Sequence, residues 1–256
     1  MWRFAAAKAI GTSHIQAQLP CQDEFVCELI EDQSLIAALA DGAGSAALAK
    51  RGAELAVRTT ISHLKQAIAE KRTDFACLLR ESAIAARDAI SAEANQEGAA
   101  LRSYACTLLV AVLSQNGGGA ALQIGDGVIV VSDGGDEWSW VFWPQRGEYA
   151  NTTNFLTDDA AFEQMQVEAF SGVVTDIAVM SDGLEPLAVH YASKSVHDPF
   201  FRGLFTPLVE SAGSAEIHDL SAALEQFLSS ERVRSRTDDD VSLILATRRM
   251  NEPNKS

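Results

Sequence analysis

Four aspartates of this chain stand where an apolar run gives way to a turn: Asp41 in Ala40-Asp41-Gly42-Ala43-Gly44, Asp126 in Ile124-Gly125-Asp126-Gly127, Asp182 in Met180-Ser181-Asp182-Gly183, and Asp239 in Asp238-Asp239-Asp240-Val241. A fifth, Asp23, comes just before the run that starts at Glu24. Asp-Gly at a strand end has an ordinary explanation, since both residues favour turns. Its repetition asks for a further one. Carboxylates gathered in one place repel each other and lose hydration, so a cluster is stable only if cations neutralise it or some members bind protons. A donor set of oxygens without His or Cys suits hard divalent ions, Mg²⁺ or Mn²⁺, over Zn²⁺. The glycines of Asp41-Gly42 and Asp182-Gly183 let the backbone turn sharply beside such an ion and could lend it a carbonyl.

These acids can meet only if the elements around them bring the strand ends together. Trp2 to Ile10, Glu24 to Ile30 and Leu35 to Ala40 are apolar runs of strand length separated by polar breaks. From Ala46 to about Lys71 the spacing is helical, with Ala49, Gly52, Ala53, Ala56, Thr60, Leu64 and Ala67 as a stripe of mostly small residues that can lie close against a sheet. A second helix is predicted from Phe75 to about Asn95, with Leu78, Leu79, Ile84 and Ile90 on its apolar side. Strands follow at Ala105 to Leu113, Ala120 to Ile124, Val128 to Val131 and Trp138 to Trp143, with hairpin turns at Asn116-Gly117-Gly118-Gly119 and Asp133-Gly134-Gly135-Asp136. Pro144 to Phe170 is the least regular part, a surface loop with room for a short helix. Val173 to Ser181 is a further strand, Phe200 to Val209 and Ile217 to Leu228 are helices, and Val241 to Thr247 is a last strand. Clustered strands alternating with helical pairs predict an α+β class with antiparallel sheets and helices packed outside. We expect one domain over 1–247 and a polar tail over 248–256.

Composition agrees with a folded chain: of 256 residues 47% are hydrophobic and 21% charged, which excludes disorder and a collagen-like repeat. Thirty-five acids against 20 bases give a net charge of −15, which repels nucleic acid, and no basic stripe reverses the sign locally. Four cysteines, Cys21, Cys27, Cys77 and Cys106, are too few for a disulfide scaffold and are expected to stay free in a reducing cytoplasm. The start interrupts its apolar character with charges, unlike a leader, and no stretch reaches the ~18 apolar residues of a membrane span. No membrane contact is expected.

The ordered series Cys21-Gln22-Asp23, Ala40-Asp41-Gly42-Ala43-Gly44, Cys106-Thr107-Leu108-Leu109, Ile124-Gly125-Asp126, Ser181-Asp182-Gly183 and Asp239-Asp240-Val241-Ser242 resembles the metal-dependent type 2C protein serine/threonine phosphatases, the PPM family, over about Ala7 to Ala246. Gly11-Thr12-Ser13-His14 followed by Pro20-Cys21-Gln22-Asp23, and Gly147-Glu148-Tyr149-Ala150-Asn151, further resemble the compact bacterial branch of that family. The resemblance implies a four-layer αββα sandwich, two antiparallel sheets flanked by helices, with two Mn²⁺ or Mg²⁺ ions in a cleft at one sheet edge. Position by position, Asp41 resembles the aspartate that bridges the two metals and Gly42 the residue that lends its carbonyl. Asp182 and Asp239 resemble ligands of the first metal, Asp23 the acid that holds the second largely through water, and Asp126 with Asp182 the ligands of a weaker third. The implied reaction is in-line attack on phosphorus by a water activated between the metals, without a phosphoenzyme. A phosphorylated protein would be the substrate and a serine/threonine kinase the opposing enzyme, the phosphatase itself acting as a monomer.

The sequence departs from the family pattern in two places. Where family members commonly carry an arginine that grips the substrate phosphate, this chain has His14, which is read either as a weaker, pH-dependent phosphate contact or as a partly exposed loop histidine. Where many have a histidine at or after the Asp-Gly motif, it has Ala43, Gly44, Ser45 and Ala46, leaving a metal-bound water or His14 to protonate the leaving oxygen. Asp41, Asp182, Asp239 and His14 are therefore the residues expected to carry catalysis. Cys21 and Cys106 lack a phosphate-cradling loop and are not expected to act as nucleophiles. His63, His190, His197 and His218 read as structural, and Arg146, Tyr149 and Asn154 of the irregular loop as contacts to a phosphoprotein. Two other functions share the same residues: an interaction module that has lost catalysis, and a hydrolase of small phosphate esters.

Overall fold

The apolar runs become strands and the small-residue stripes become helices. Their order is β1 (Trp2–Ala9), α1 (Thr12–Ala17), β2 (Glu24–Leu29), β3 (Leu35–Ala40), α2 (Ala49–Ala69), α3 (Phe75–Glu97), β4 (Leu108–Leu113), β5 (Gly119–Ile124), β6 (Val128–Ser132) and β7 (Ser139–Trp140). The second half continues with α4 (Ala161–Gln164), β8 (Gln166–Ala169), β9 (Asp176–Met180), α5 (Glu185–Ala188), β10 (Val189–His190), β11 (Ser195–Val196), α6 (Asp198–Glu210), β12 (Ala215–Glu216), α7 (His218–Leu228), α8 (Glu231–Arg234) and β13 (Val241–Arg248). The computed structural model describes residues 1–30, 33–135, 137–144, 153–213 and 215–249.

Two sheets carry the architecture. One has the strand order β12-β1-β13-β9-β6-β7 and the other β2-β3-β4-β5-β8. Neighbours are antiparallel except β12, which runs parallel to β1 through Arg3–Ala215 and Phe4–Glu216. Three apolar cores separate four layers. Val57, Leu64, Leu79 and Ile90 of α2 and α3 pack on Ile36, Val110 and Leu122 of the second sheet. Phe201, Phe205 and Leu224 of α6 and α7 pack on Val130, Met180 and Leu243 of the first. Trp2, Leu39, Leu109, Ile129 and Ile244 fill the space between the sheets. With apolar layers on both sides, β3 and β4 bury every residue, which is why they read as continuous apolar runs rather than as alternation. The predicted αββα sandwich is the observed one.

The stripe of α2 lies buried as expected, and Gly52 explains how closely: a Cβ there would sit 2.0 Å from the Tyr104 carbonyl oxygen. Asp74 caps α3 by accepting the Cys77 N–H at 3.0 Å, and Gly98, at φ +66°, ends it. Ile84, expected on the apolar side of α3, is instead 46% exposed. Trp138 leaves the predicted Trp138 to Trp143 strand to pack on Phe201 and Phe205, and the pairing with β6 runs over Ser139–Trp140 with one further bond from the Val141 N–H to the Ile129 carbonyl at 2.8 Å. The irregular stretch from Pro144 contains α4, as expected, and also β8, which pairs with β5. Among the described residues no helix is long and apolar enough to cross a membrane.

Candidate metal centre

Strand register gathers the acids at one edge of the sandwich. Glu24 pairs with Ala40, so Asp23 and Asp41 are the next residues out on adjacent strands β2 and β3. Val128 pairs with Met180, which sets Asp126 across from Asp182 beyond the ends of β6 and β9. Leu243 pairs with the same Met180, so Asp239, just before β13, reaches the same edge. Asp23 and Asp41 come from one sheet and Asp182 and Asp239 from the other, while Asp126 sits in the turn that crosses between them. Thr107 fixes Asp41 from β4's side: its hydroxyl accepts the Asp41 N–H at 2.9 Å and its own N–H donates to the Asp41 carbonyl at 2.8 Å.

The electrostatics show the cost of this convergence. Burial lifts the Asp23 carboxyl to about 6, moderated by the nearby Ser242 and Ser181 hydroxyls. Burial, then the charges of Asp23, Asp182 and Asp239, hold Asp41 well above the usual carboxylate range. Burial, then Asp126 and Asp239, lift Asp182 to about 7, with Glu185 adding to the rise. Asp239, at the exposed rim, is raised by partial loss of water and by Asp240, against the Asp240 N–H that it accepts at 2.8 Å. Without cations the site keeps protons it would lose in water.

Close packing is what the structure shows of the two glycines. Neither Gly42 nor Gly183 has a positive φ. What Gly183 permits is close approach, since a Cβ there would meet the Asp240 carbonyl oxygen at 2.3 Å. Gly42 is buried, bridged to Cys106, and packs on the start of α2 at Ala49.

His14 is not a partly exposed loop residue: it lies on α1, is 8% exposed, and places Nδ1 2.8 Å from Asp240 Oδ2. The short helix after Gly11 folds its ring back onto that carboxylate. Thr153, at the described end of the irregular loop, donates its hydroxyl to Asp126 Oδ2, tying the loop to the site. Asn154 is half-buried beside it, and Arg146 and Tyr149 lie outside the described residues. His63, His190, His197 and His218 sit on α2, β10, the entry to α6 and the start of α7. Thr107, Asp240 and Glu185 were missed by sequence reasoning. Glu185 is buried next to Asp182 and accepts the Tyr191 hydroxyl.

All four cysteines are free. Burial, aided by Asp23 and Asp240, pushes the Cys21 thiol up to about 12, and burial alone does the same for Cys106. A thiol so raised is a poor nucleophile at neutral pH. Cys21→Ser is accordingly expected to keep turnover within about threefold of wild type in a steady-state assay; loss of more than that would reopen a thiol role.

The donor set fits a hard divalent cation. Both Asp23 carboxylate oxygens and Asp182 Oδ1 are sealed from solvent without a hydrogen-bond donor at ordinary geometry, a costly arrangement that a cation would relieve. The arrangement is convergent rather than closed: among the described residues, no three His, Cys, Asp or Glu side chains form a finished metal cage.

Comparison with known proteins identifies the family. The family described as "Protein phosphatase 2C" matches residues 10–229. "Serine/threonine-protein phosphatase 3" of Escherichia coli K12 is 37% identical over 250 residues, covering 96% of this chain and 98% of that protein. The solved Mycobacterium tuberculosis serine/threonine phosphatase PstP/Ppp has the same fold, with a TM-score of 0.66 at 17% identity over 97% of this chain and 99% of that one. Staphylococcus aureus Stp1 matches with a TM-score of 0.63 at 15% identity, over 98% of this chain and 96% of that one. With acids at one sandwich edge, the family match over most of the chain and a near full-length relative, this chain belongs to the protein phosphatase 2C family and is a phosphatase of that type.

Proposed function

We propose that the chain removes phosphate from phosphoserine and phosphothreonine in proteins, using two Mn²⁺ or Mg²⁺ ions held by Asp23, Asp41, Asp182 and Asp239. The Gly42 carbonyl would join the first set, and Asp126 with Asp182 would hold a weaker third ion. When bound, such ions supply an activated water and a counter-charge for the phosphoryl oxygens. The observation that carries this reading is the pair of solvent-sealed Asp23 oxygens, met by no hydrogen bond of ordinary geometry, among carboxylates raised by burial and then by one another's charge.

The chain's own residues supply the rest. Asp41 is fixed through its backbone by Thr107, which holds in place the strand end from which its carboxylate projects. His14, close enough to lower the Asp239 carboxyl, is the group available to contact phosphate or to protonate the departing serine or threonine oxygen. Phosphorus is attacked by water, since the buried thiols are inert. A kinase opposes the enzyme, and the setting is cytoplasmic. Turnover of a phosphothreonine peptide that requires Mn²⁺ or Mg²⁺, stops with chelator and exceeds turnover of small phosphate metabolites would support the reading. Preference for a small phosphate ester would overturn it.

A further inference from the structure

We infer that Asp240 is the positioning residue of this centre: its carboxylate holds the chain's start, and with it the segment that carries Asp23, against the strand that carries Asp239, and sets the His14 ring with Nδ1 turned to that carboxylate, leaving Nε2 uncommitted by this contact. The inference rests on the metal-dependent phosphatase reading above for its Mn²⁺-affinity and kinetic consequences, and not for the His14 ring state.

Asp240 is 2% exposed. A carboxylate this deep is tolerated only when its lone pairs are met by donors. Three donors meet them: Gly11 N–H on Oδ1 at 2.7 Å, Gln22 N–H on Oδ2 at 2.6 Å, and His14 Nδ1 near Oδ2 at 2.8 Å. All three come from the chain's start, more than two hundred positions away. The Ser13 N–H and hydroxyl also donate to the Asp238 carbonyl, at 2.9 and 2.7 Å, so α1 is fastened along the segment that leads into β13.

Each contact ends next to a residue of the proposed reaction. Gln22 precedes Asp23, so the Gln22 N–H bond fixes where Asp23 enters β2. Asp240's own N–H holds Asp239 Oδ1 at 2.8 Å, which aims that side chain and leaves its other oxygen for a cation. Gly183, next to Asp182, abuts the Asp240 carbonyl from the far side, too close for any Cβ. One residue thus touches the segments that carry Asp23, Asp182 and Asp239. Because Nδ1 is committed to Asp240, the nitrogen left to His14 for another partner is Nε2. Asp238 and Asp239 cannot substitute: both are exposed, and neither has comparable contacts to the chain's start through its carboxylate.

The test compares the full-length wild type with Asp240→Ala and Asp240→Asn. Ring ¹⁵N spectra of His14 are recorded in the metal-free protein at a pH where the ring is neutral, Mn²⁺ affinity by calorimetry, and kcat and KM on a phosphothreonine peptide. The wild type is expected to show Nδ1 protonated and Nε2 bare. Asp240→Ala is expected to lose that signature and to bind Mn²⁺ about 10–100-fold more weakly, with kcat falling by a similar factor. The single amide oxygen of Asp240→Asn can still accept from Gln22 and His14, so most of the affinity and the Nδ1–H signature should return. A wild-type spectrum with Nε2 protonated overturns the inference even if Asp240→Ala does not fold. So does a folded Asp240→Ala that binds Mn²⁺ as tightly as wild type. A wild type that binds Mn²⁺ but turns over no phosphopeptide would instead sink the phosphatase reading, while the spectrum and the affinities would still decide the role of Asp240.

Discussion

Asp41→Asn lowers kcat on a phosphothreonine peptide by about 10³-fold or more while leaving the metal-free fold at least as stable as wild type. Asp41 is raised by burial and then by the charges of Asp23, Asp182 and Asp239, so its ionised form is costly in the folded, cation-free protein. Replacing it with a neutral isostere removes that cost and relieves the folded, cation-free protein. The same change removes a negative ligand from the proposed centre, where metal ions supply several kcal/mol of transition-state stabilisation, hence the expected loss of about 10³-fold. Asp239→Asn should behave alike in activity but gain less stability, because Asp239 sits at the exposed rim. Kinetics and thermal unfolding with chelator on the same samples check both halves. A variant that keeps turnover within about tenfold of wild type would remove Asp41 from the mechanism.

The second large effect is on heat stability. Asp23 and Asp182 have folded-state values of about 6 and about 7, above the ordinary 3.8. A carboxyl raised by folding binds its proton more tightly in the native state, so its contribution is fully present below the unfolded value and is lost as pH rises through the folded one. Between pH 5.5 and 8.5 both groups give up that proton, and metal-free protein should lose on the order of 2–3 kcal/mol, the Asp182 share being reduced by its partial exposure. For a chain of this size the melting temperature should fall by roughly 5–10 °C. Saturating Mn²⁺ should reverse the fall and stabilise more at pH 8.5 than at pH 5.5, because at low pH protons compete for the same oxygens. Calorimetry at the two pH values, with chelator and with Mn²⁺, gives the four melting temperatures needed. Equal metal-free values at both would contradict the buried-carboxylate description.

What the sequence could reveal follows from how each feature is stabilised. β3, β4 and the α2 stripe were legible because burial on both faces, or close helix-to-sheet approach, requires long runs of apolar or small residues. The five acids were legible because register carries each strand end to one edge, and a turn residue marks each end in the sequence. Short elements were not. α1, α5, β8 and the β10–β11 ribbon span two to six residues, too few for a periodic signal, and owe their form to tertiary contacts. Asp240 was hidden for another reason: in Asp238-Asp239-Asp240 the sequence reading settles on Asp239, and nothing local marks Asp240, whose partners Gly11, His14 and Gln22 lie at the other end of the chain. Ile84 and Trp138 show the same limit, since a helix face or a strand run does not say which neighbour will be there to cover it.

The most direct test is a crystal structure grown with Mn²⁺ and measured above the manganese absorption edge. The expected result is two anomalous peaks within coordinating distance of Asp23, Asp41, Asp182 and Asp239, both abolished by chelator and weakened in Asp41→Asn. Well-ordered carboxylates at this edge with no anomalous peak among them would contradict a metal-dependent centre.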